Sequence, residues 1–239
     1  MRITAIILAA GVGKRFGPEA NERPKALLEV DGESLIARLV RQLDRAGVDR
    51  IVVVVGYRDD LMAQALAGAA NVTLVRNPEF RRGAILSLWS ARAFLEGPVV
   101  VMDADVFMPF KMLDRLLRSA HESCFLLDGR VPPSGEEQML MVQGPRVVDI
   151  ARVPRGTYDG LGESVGFLKL APPGAAVLRE LLDTRVARGD KDLEHEEVYP
   201  ELLARVAVGF EIVDDLDWTE IDFPGDLDRA RSLARGLQG

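Results

Sequence analysis

Along the first hundred residues, runs that are apolar throughout alternate with stretches that are apolar only at helical spacing. "ITAIILA" (3–9), "RIVVVVG" (50–56), "VTLVR" (72–76) and "PVVVMDAD" (98–105) have the length and branched side chains of buried strands. Between the first two, "SLIARLVRQLDRAG" (34–47) is apolar at 35, 36, 39, 40 and 43 and ends on Gly47, the pattern of an amphipathic helix. Further helices are expected around 59–68 and 84–95. Strands without a polar face, each followed by a helix, predict an α/β fold with a mostly parallel central sheet covered on both faces. In such sheets ligands bind beyond the carboxyl ends of the strands, here just after residues 9 and 55 and at 103–105.

Beyond about residue 120 the rhythm changes. "SCFLLDG", "QMLMVQG" and "RVVDIARV" read as successive strands, which predicts a smaller antiparallel element in the C-terminal half. "SVGFLKL" is a further strand, "PPGAAVLRELLDTRVARG" (172–189) a helix opened by prolines, and 194–204 a helix. A strand in "VAVGFEIVD" and a last helix from about 224 follow. With no repeat, low-complexity segment or linker, one domain over 1–239 is expected.

Composition narrows the chemistry. The chain of 239 residues has a formal net charge of −7, which argues against a nucleic-acid partner held by phosphate neutralisation. Positive charge is nevertheless concentrated at the start: Arg2, Lys14, Arg15, Arg23 and Lys25 against Glu19 and Glu22. The single cysteine, Cys124, excludes an intrachain disulfide and reads as a core thiol. With only His121 and His195, a histidine-built zinc site is not expected. "ITAIILAAG" is too short to span a bilayer and nothing resembles a signal peptide, so membrane insertion is not expected and the location is read as cytoplasmic.

The segment after the first strand, "LAAGVGKRFG" (8–17), carries Gly11, Gly13 and Gly17. A dinucleotide fingerprint requires a helix to open inside the glycine run. Here Pro18 and Pro24 follow, and the first convincing helix waits until Ser34. A P-loop lacks its Gly-Lys-Ser/Thr. What remains is a long glycine-rich loop with Lys14, Arg15 and Lys25, either a backbone cradle for phosphate or a plain surface loop. Asp103 and Asp105 end a buried strand two residues apart and so share a side. They are either cation ligands or a solvated strand-end turn. Glu220 and Asp222, in "DWTEIDFPGDLDRA" (217–230), repeat that spacing.

"LAAGVGKRFG" followed by "RPKALLEVDGESLIARLVRQL" resembles the opening of the sugar-phosphate and alcohol-phosphate nucleotidyltransferases of MobA-like NTP transferase fold. "RNPEFRRGAILSLWSARAFL" (76–95) and the Glu-Ile-Asp at 220–222 are similar to the phosphocholine-type cytidylyltransferase branch. The resemblance implies a Rossmann-like three-layer sandwich, with 1–110 binding the nucleotide and 111–239 the acceptor. It implies that Leu8, Ala9, Ala10, Gly11 and Gly13 wrap the nucleotide, bordered by Gly56, Tyr57, Gly83, Ser87 and Asp103, with Arg15 and Lys25 on the phosphates. Asp105 and Asp222 become ligands of a catalytic Mg2+, with Asp103 beside them and Glu220 as either a neighbour or a surface residue. Arg152 and Trp218 fall beside the acceptor, and Glu163 is either an acceptor-site residue or a loop glutamate capping its strand. Where relatives often carry lysines this chain has Leu140 and Arg152, which leaves the acceptor open.

The reaction so implied is transfer of a nucleoside monophosphate, with CTP as preferred donor, to a phosphorylated or phosphonylated small alcohol, with release of pyrophosphate. Phosphocholine, an aminoalkyl phosphonate, an inositol phosphate and a sugar 1-phosphate are the acceptors considered. Choline would call for an aromatic cage, to which Trp89, Trp218, Tyr158 and Tyr199 are the candidates, although Trp89 at helical spacing reads as core. A sugar-1-phosphate nucleotidyltransferase and a non-catalytic nucleotide-binding module are the alternatives.

Overall fold

The computed structural model describes residues 3–16 and 23–236. Gly17, Pro18 and Arg2, with Glu19, Glu22 and the Lys14 side chain, lie outside the described structure. The chain runs β1 (Thr4–Leu8), β2 (Glu29–Val30), β3 (Glu33–Ser34), α1 (Leu35–Arg45), β4 (Arg50–Val55), α2 (Asp59–Ala65), β5 (Val72–Arg76), α3 (Ile85–Ser90), β6 (Val99–Asp103), β7 (Val106–Phe107) and α4 (Phe110–Arg118). It continues β8 (Cys124–Asp128), β9 (Met139–Gln143), β10 (Arg146–Ala151), β11 (Gly160–Leu170), α5 (Pro172–Ala187), α6 (Tyr199–Leu203), β12 (Gly209–Ile212), β13 (Thr219–Glu220) and α7 (Pro224–Gly236).

The main sheet has the order β10-β9-β11-β6-β1-β4-β5, with β8 joined to β11 and β12 to β8. β6, β1, β4 and β5 are parallel. β11 runs antiparallel to β6, β8 and β9, and β9 to β10. The antiparallel strands therefore extend the parallel sheet rather than forming a sheet of their own. Strand alternation divides the core as expected: Ala5, Ile7, Ile51 and Val53 face one layer, Ile6, Val52, Val54 and Val101 the other. Each fully buried valine or isoleucine contributes roughly 1.5–3 kcal/mol.

α1 starts where Ser34 accepts from the Ala37 N–H at 3.3 Å, and its turn-off uses Gly47 at φ +75°. The expected helix at 84–95 is shorter: α3 ends at Ser90 and a 3-10 turn takes Arg92–Phe94. The expected helix at 194–204 divides into a 3-10 turn, His195–Val198, and α6. Pro200 has no N–H to return to Glu196, so one continuous α-helix cannot form there. The sequence reading passed over α4, whose buried face is Met112, Leu113 and Leu116, and the β2–β3 hairpin, which turns through Asp31 and Gly32 at positive φ. Among the described residues no helix is long and apolar enough to cross a membrane.

Candidate active site

A cleft of roughly 460 Å³ opens at the carboxyl ends of β1 and β6. Leu8, Ala10, Gly11, Val12, Gly13 and Arg15 form one wall. Gly13 needs its φ of +67°, and a Cβ on Gly11 would meet open space, so the backbone of this wall is bare to the cleft. Ala9 is different: its methyl lies in the core and its N–H is committed to the Val54 carbonyl at 2.9 Å.

Opposite the loop, two distant segments meet. β7 and β13 pair antiparallel, Thr219 with Phe107 and Glu220 with Val106, and the Ile221 N–H donates to the Asp105 carbonyl at 3.0 Å. This short ladder brings carboxylate oxygens of Asp105, Glu220 and Asp222 within 4.8 Å of one another. The turn into α7 is tied down by Asp226, which accepts from the N–H groups of Asp222 and Phe223. Lys25, in the 3-10 turn that follows Pro24, places Nζ 2.7 Å from Asp105 and 2.7 Å from Asp222. Arg15 reaches the other oxygen of Asp222 at 2.9 Å.

The charge balance of the cleft follows from this crowding. Burial opposes the charge on Lys25, but Asp105 and Asp222 outweigh it and raise its pKa above the ordinary lysine value. Glu220 is pushed up to about 8 by burial and by repulsion from Asp105 and Asp222. Glu163 is pushed up to about 7 by burial, then by Glu137 and Asp128. On the floor, Asp103 is raised by burial and the charge of Glu196, and burial brings His195 down to about 4.

Residues 5–145 match the family model described as a MobA-like NTP transferase domain. The chain belongs to that family. Over its whole length the NTP transferase chain is similar to a bifunctional IPC transferase and DIPP synthase of Rubrobacter xylanophilus, 33% identical over 98% of this chain and 52% of the relative. It therefore spans about half the length of that relative. It is 27% identical to a 2-aminoethylphosphonate cytidylyltransferase of Lancefieldella rimae over 95% of this chain and 91% of the other. Its fold matches that of the CTP:phosphocholine cytidylyltransferase of Streptococcus pneumoniae with a TM-score of 0.83 at 24% identity, covering 98% and 100% of the two chains.

Within this NTP transferase domain, Leu8, Ala10, Gly11, Gly13, Arg15, Lys25, Ser87, Asp103, Asp105, Arg152, Glu163 and Asp222 all line the cleft. Five expected residues do not. Gly56 is buried under the loop, where a Cβ would collide with Phe80 and crowd Ala10; it lets β4 pack there and touches no cleft space. Gly83 is a docking point: a Cβ would strike the Leu193 carbonyl, and its N–H donates to the Lys191 carbonyl at 3.0 Å. Ala9 supports the loop from the core, as described.

Trp218 is the fourth, 5% exposed, its Nε1 donating to Asp128 at 2.8 Å; an indole in an apolar layer needs that partner and cannot also reach an acceptor. Tyr57 packs near Phe80 outside the cleft lining, Trp89 donates to Asp183 under Arg92, Tyr199 is buried, and Tyr158 is exposed elsewhere. Phe80 and His195 are the aromatic lining among the described residues, so the candidates for a choline cage do not assemble.

The sequence reading missed Arg81, Arg82, Glu136, Glu137, Gln138, Glu194, His195 and Glu196, which also line the cleft. "GEEQ" in a loop and "EHEE" at the start of a 3-10 turn carry dense charge, a signal that by itself also describes any solvated surface.

Proposed function

We propose that this chain transfers CMP from CTP to the phosphate or phosphonate oxygen of a small alcohol derivative, releasing pyrophosphate, with Mg2+ as cofactor. The observation that carries the proposal is the convergence of Asp105, Glu220 and Asp222 with Lys25 and Arg15 on the open side of the glycine loop. The donor set is all oxygen, and a cationic nitrogen already lies 2.7 Å from two of the three carboxylates, so the residues fit a hard divalent cation. The names of the relatives support a CTP donor and a phosphonate or phosphate acceptor.

The acceptor oxyanion is itself a nucleophile, so no covalent intermediate and no general base is needed. The chain's work is alignment and charge neutralisation. Backbone N–H groups of Gly11 to Gly13 cradle the donor phosphates, and Arg15 and Lys25 neutralise the charge that accumulates on the departing pyrophosphate. Asp105 and Asp222, aided by Glu220, would hold Mg2+, and the ion would supply Lewis-acid stabilisation of the charge that develops in the transfer. With the aspartates so neutralised, Lys25 would be available to the phosphates.

Arg81 and Arg152 offer fixed charge to the acceptor's phosphate. The lining by Glu136, Glu137 and Glu163, with no aromatic cage, favours an acceptor carrying a small ammonium or hydroxyl groups over a quaternary one.

The test is pyrophosphate release with Mg2+, crossing four NTPs against phosphocholine, 2-aminoethylphosphonate, inositol 1-phosphate and glucose 1-phosphate. CTP with 2-aminoethylphosphonate or inositol 1-phosphate is the expected pair, and Asp105→Ala should lower its rate by about 10²-fold or more. Turnover restricted to glucose 1-phosphate would overturn the acceptor class; nucleotide binding without pyrophosphate release from any pair would overturn the enzyme reading.

A further inference from the structure

A second cluster of potential ligands sits on the cleft floor, built from residues outside the Asp105–Glu220–Asp222 group. Asp103 ends β6, and His195 and Glu196 open the 3-10 turn before α6; one ligand atom of each lies within 4.8 Å of the other two. His195 is 5% exposed yet lines the cleft, and its Nε2 stands 3.8 Å from the Asp103 carboxylate, beyond hydrogen-bond length. Among the described residues no hydrogen bond holds either ring nitrogen, and the imidazole lines the cleft, which leaves it available to a ligand there.

The three side chains are held from behind. Tyr199 meets the imidazole edge-on at 5.7 Å between centroids. Glu194 and Glu197 close a reciprocal capping box around the turn, with the Glu194 N–H donating to Glu197 at 2.7 Å. The preceding segment is pinned by Gly83 and by the Ile85 N–H, which donates to the Leu193 carbonyl at 3.1 Å. Across the cleft floor, Gly166 at φ +80° leaves space for the Asp103 carboxylate, where a Cβ would sit 2.5 Å from Oδ2.

We propose that Asp103, His195 and Glu196 form a second divalent-cation site that takes a first-row transition metal of the Zn2+ or Co2+ class in preference to Mg2+. One imidazole nitrogen with two carboxylates is a donor set that suits Zn2+ and Co2+, whereas Mg2+ keeps to oxygen ligands and water. The two sites then differ in preference: saturating Mg2+ takes the all-oxygen site, and the site with the imidazole keeps the transition metal. This site stands apart from the proposed reaction, because it requires only that the three side chains bind metal.

Co2+ is the probe, followed by calorimetry and visible absorption on the full chain. The wild type should bind two equivalents, and saturating Mg2+ should displace one. Asp222→Asn should lose the Mg2+-displaceable equivalent and keep the other with its absorption bands. His195→Ala should do the reverse, weakening the Mg2+-resistant equivalent by at least tenfold, and the equivalent it retains reports an intact fold. Glu196→Gln, which leaves the imidazole and the packing around it, should weaken the same equivalent by at least tenfold if His195→Ala does not fold. A single equivalent in the wild type, full binding in both floor variants, or loss of one and the same equivalent in Asp222→Asn and His195→Ala would overturn the second site.

Discussion

Lys25 lies mostly buried between Asp105 and Asp222, and those two carboxylates are what keeps its ammonium charged. Removing it leaves the carboxylates facing one another, and breaking a buried pair in this way costs about 3–5 kcal/mol. Lys25→Met should therefore melt lower than the wild type without added metal, and Mg2+ should raise its melting temperature more than it raises that of the wild type. Thermal unfolding with and without Mg2+ checks both; equal Mg2+ shifts in the two proteins would contradict the proposed ion position.

Glu163 offers a test by pH. Its pKa rises from 4.5 to about 7 on folding, so between those values the folded chain holds a proton that the unfolded chain has released. Stability contributed by this group is thus present at low pH and lost as pH rises to 7. Glu163→Gln removes the penalty, and should be more stable than the wild type by about 1–3 kcal/mol at pH 8 and nearly equal to it at pH 4.5, as read by urea unfolding.

At the scale of elements, the site depends on joints that carry few residues. The β7–β13 ladder has two pairs, and together with the Ile221 N–H bond to the Asp105 carbonyl it sets Asp105 beside Asp222. The segment 191–193 rests on Gly83, with no room for a methyl group. Gly83→Ala should force that segment outward, at a cost of about 1–3 kcal/mol by analogy with overpacked cores. The cleft floor around His195 should loosen with it. Faster amide exchange at 191–197 than in the wild type, with β1 and β4 unchanged, is the expected result; unchanged exchange there would show that Gly83 does not dock the segment.

Across the whole molecule, strands from both halves share one sheet, β11 joining β6 to β9 and β8. Ile6, fully buried in β1, packs into a layer that also holds Leu168, Leu178 and Leu202 from the C-terminal half. Ile6→Ala should lower stability by about 2–5 kcal/mol. Loss of far-UV circular dichroism and of tryptophan fluorescence should stay coincident in the denaturant series, because Trp218 lies in the layer that holds Ala5 and Ile7 of β1, and Trp89 packs against the layer that holds Ile6. Separate transitions would mean that the two halves unfold independently.

The strands and most helices were legible in the sequence because burial on both sheet faces demands unbroken apolar runs, and β1, β4, β5 and β6 have them within a residue or two of their bounds. The glycine loop was legible too, since prolines and a late first helix rule out the competing phosphate motifs by steric argument alone. Asp105 and Asp222 needed the family resemblance, because nothing local to either residue names the other. Only the tertiary structure decided which glycines face ligand and which admit backbone: Gly13 lines the cleft, while Gly56 and Gly83 accommodate Phe80 and Leu193. It also decided that Trp218 is spent on Asp128, and that one of two histidines meets two carboxylates. A count of histidines weighs against a histidine-only zinc site but is silent on a mixed one. Such contacts join residues far apart in the chain, and their geometry is set by how the layers close, which no local pattern encodes.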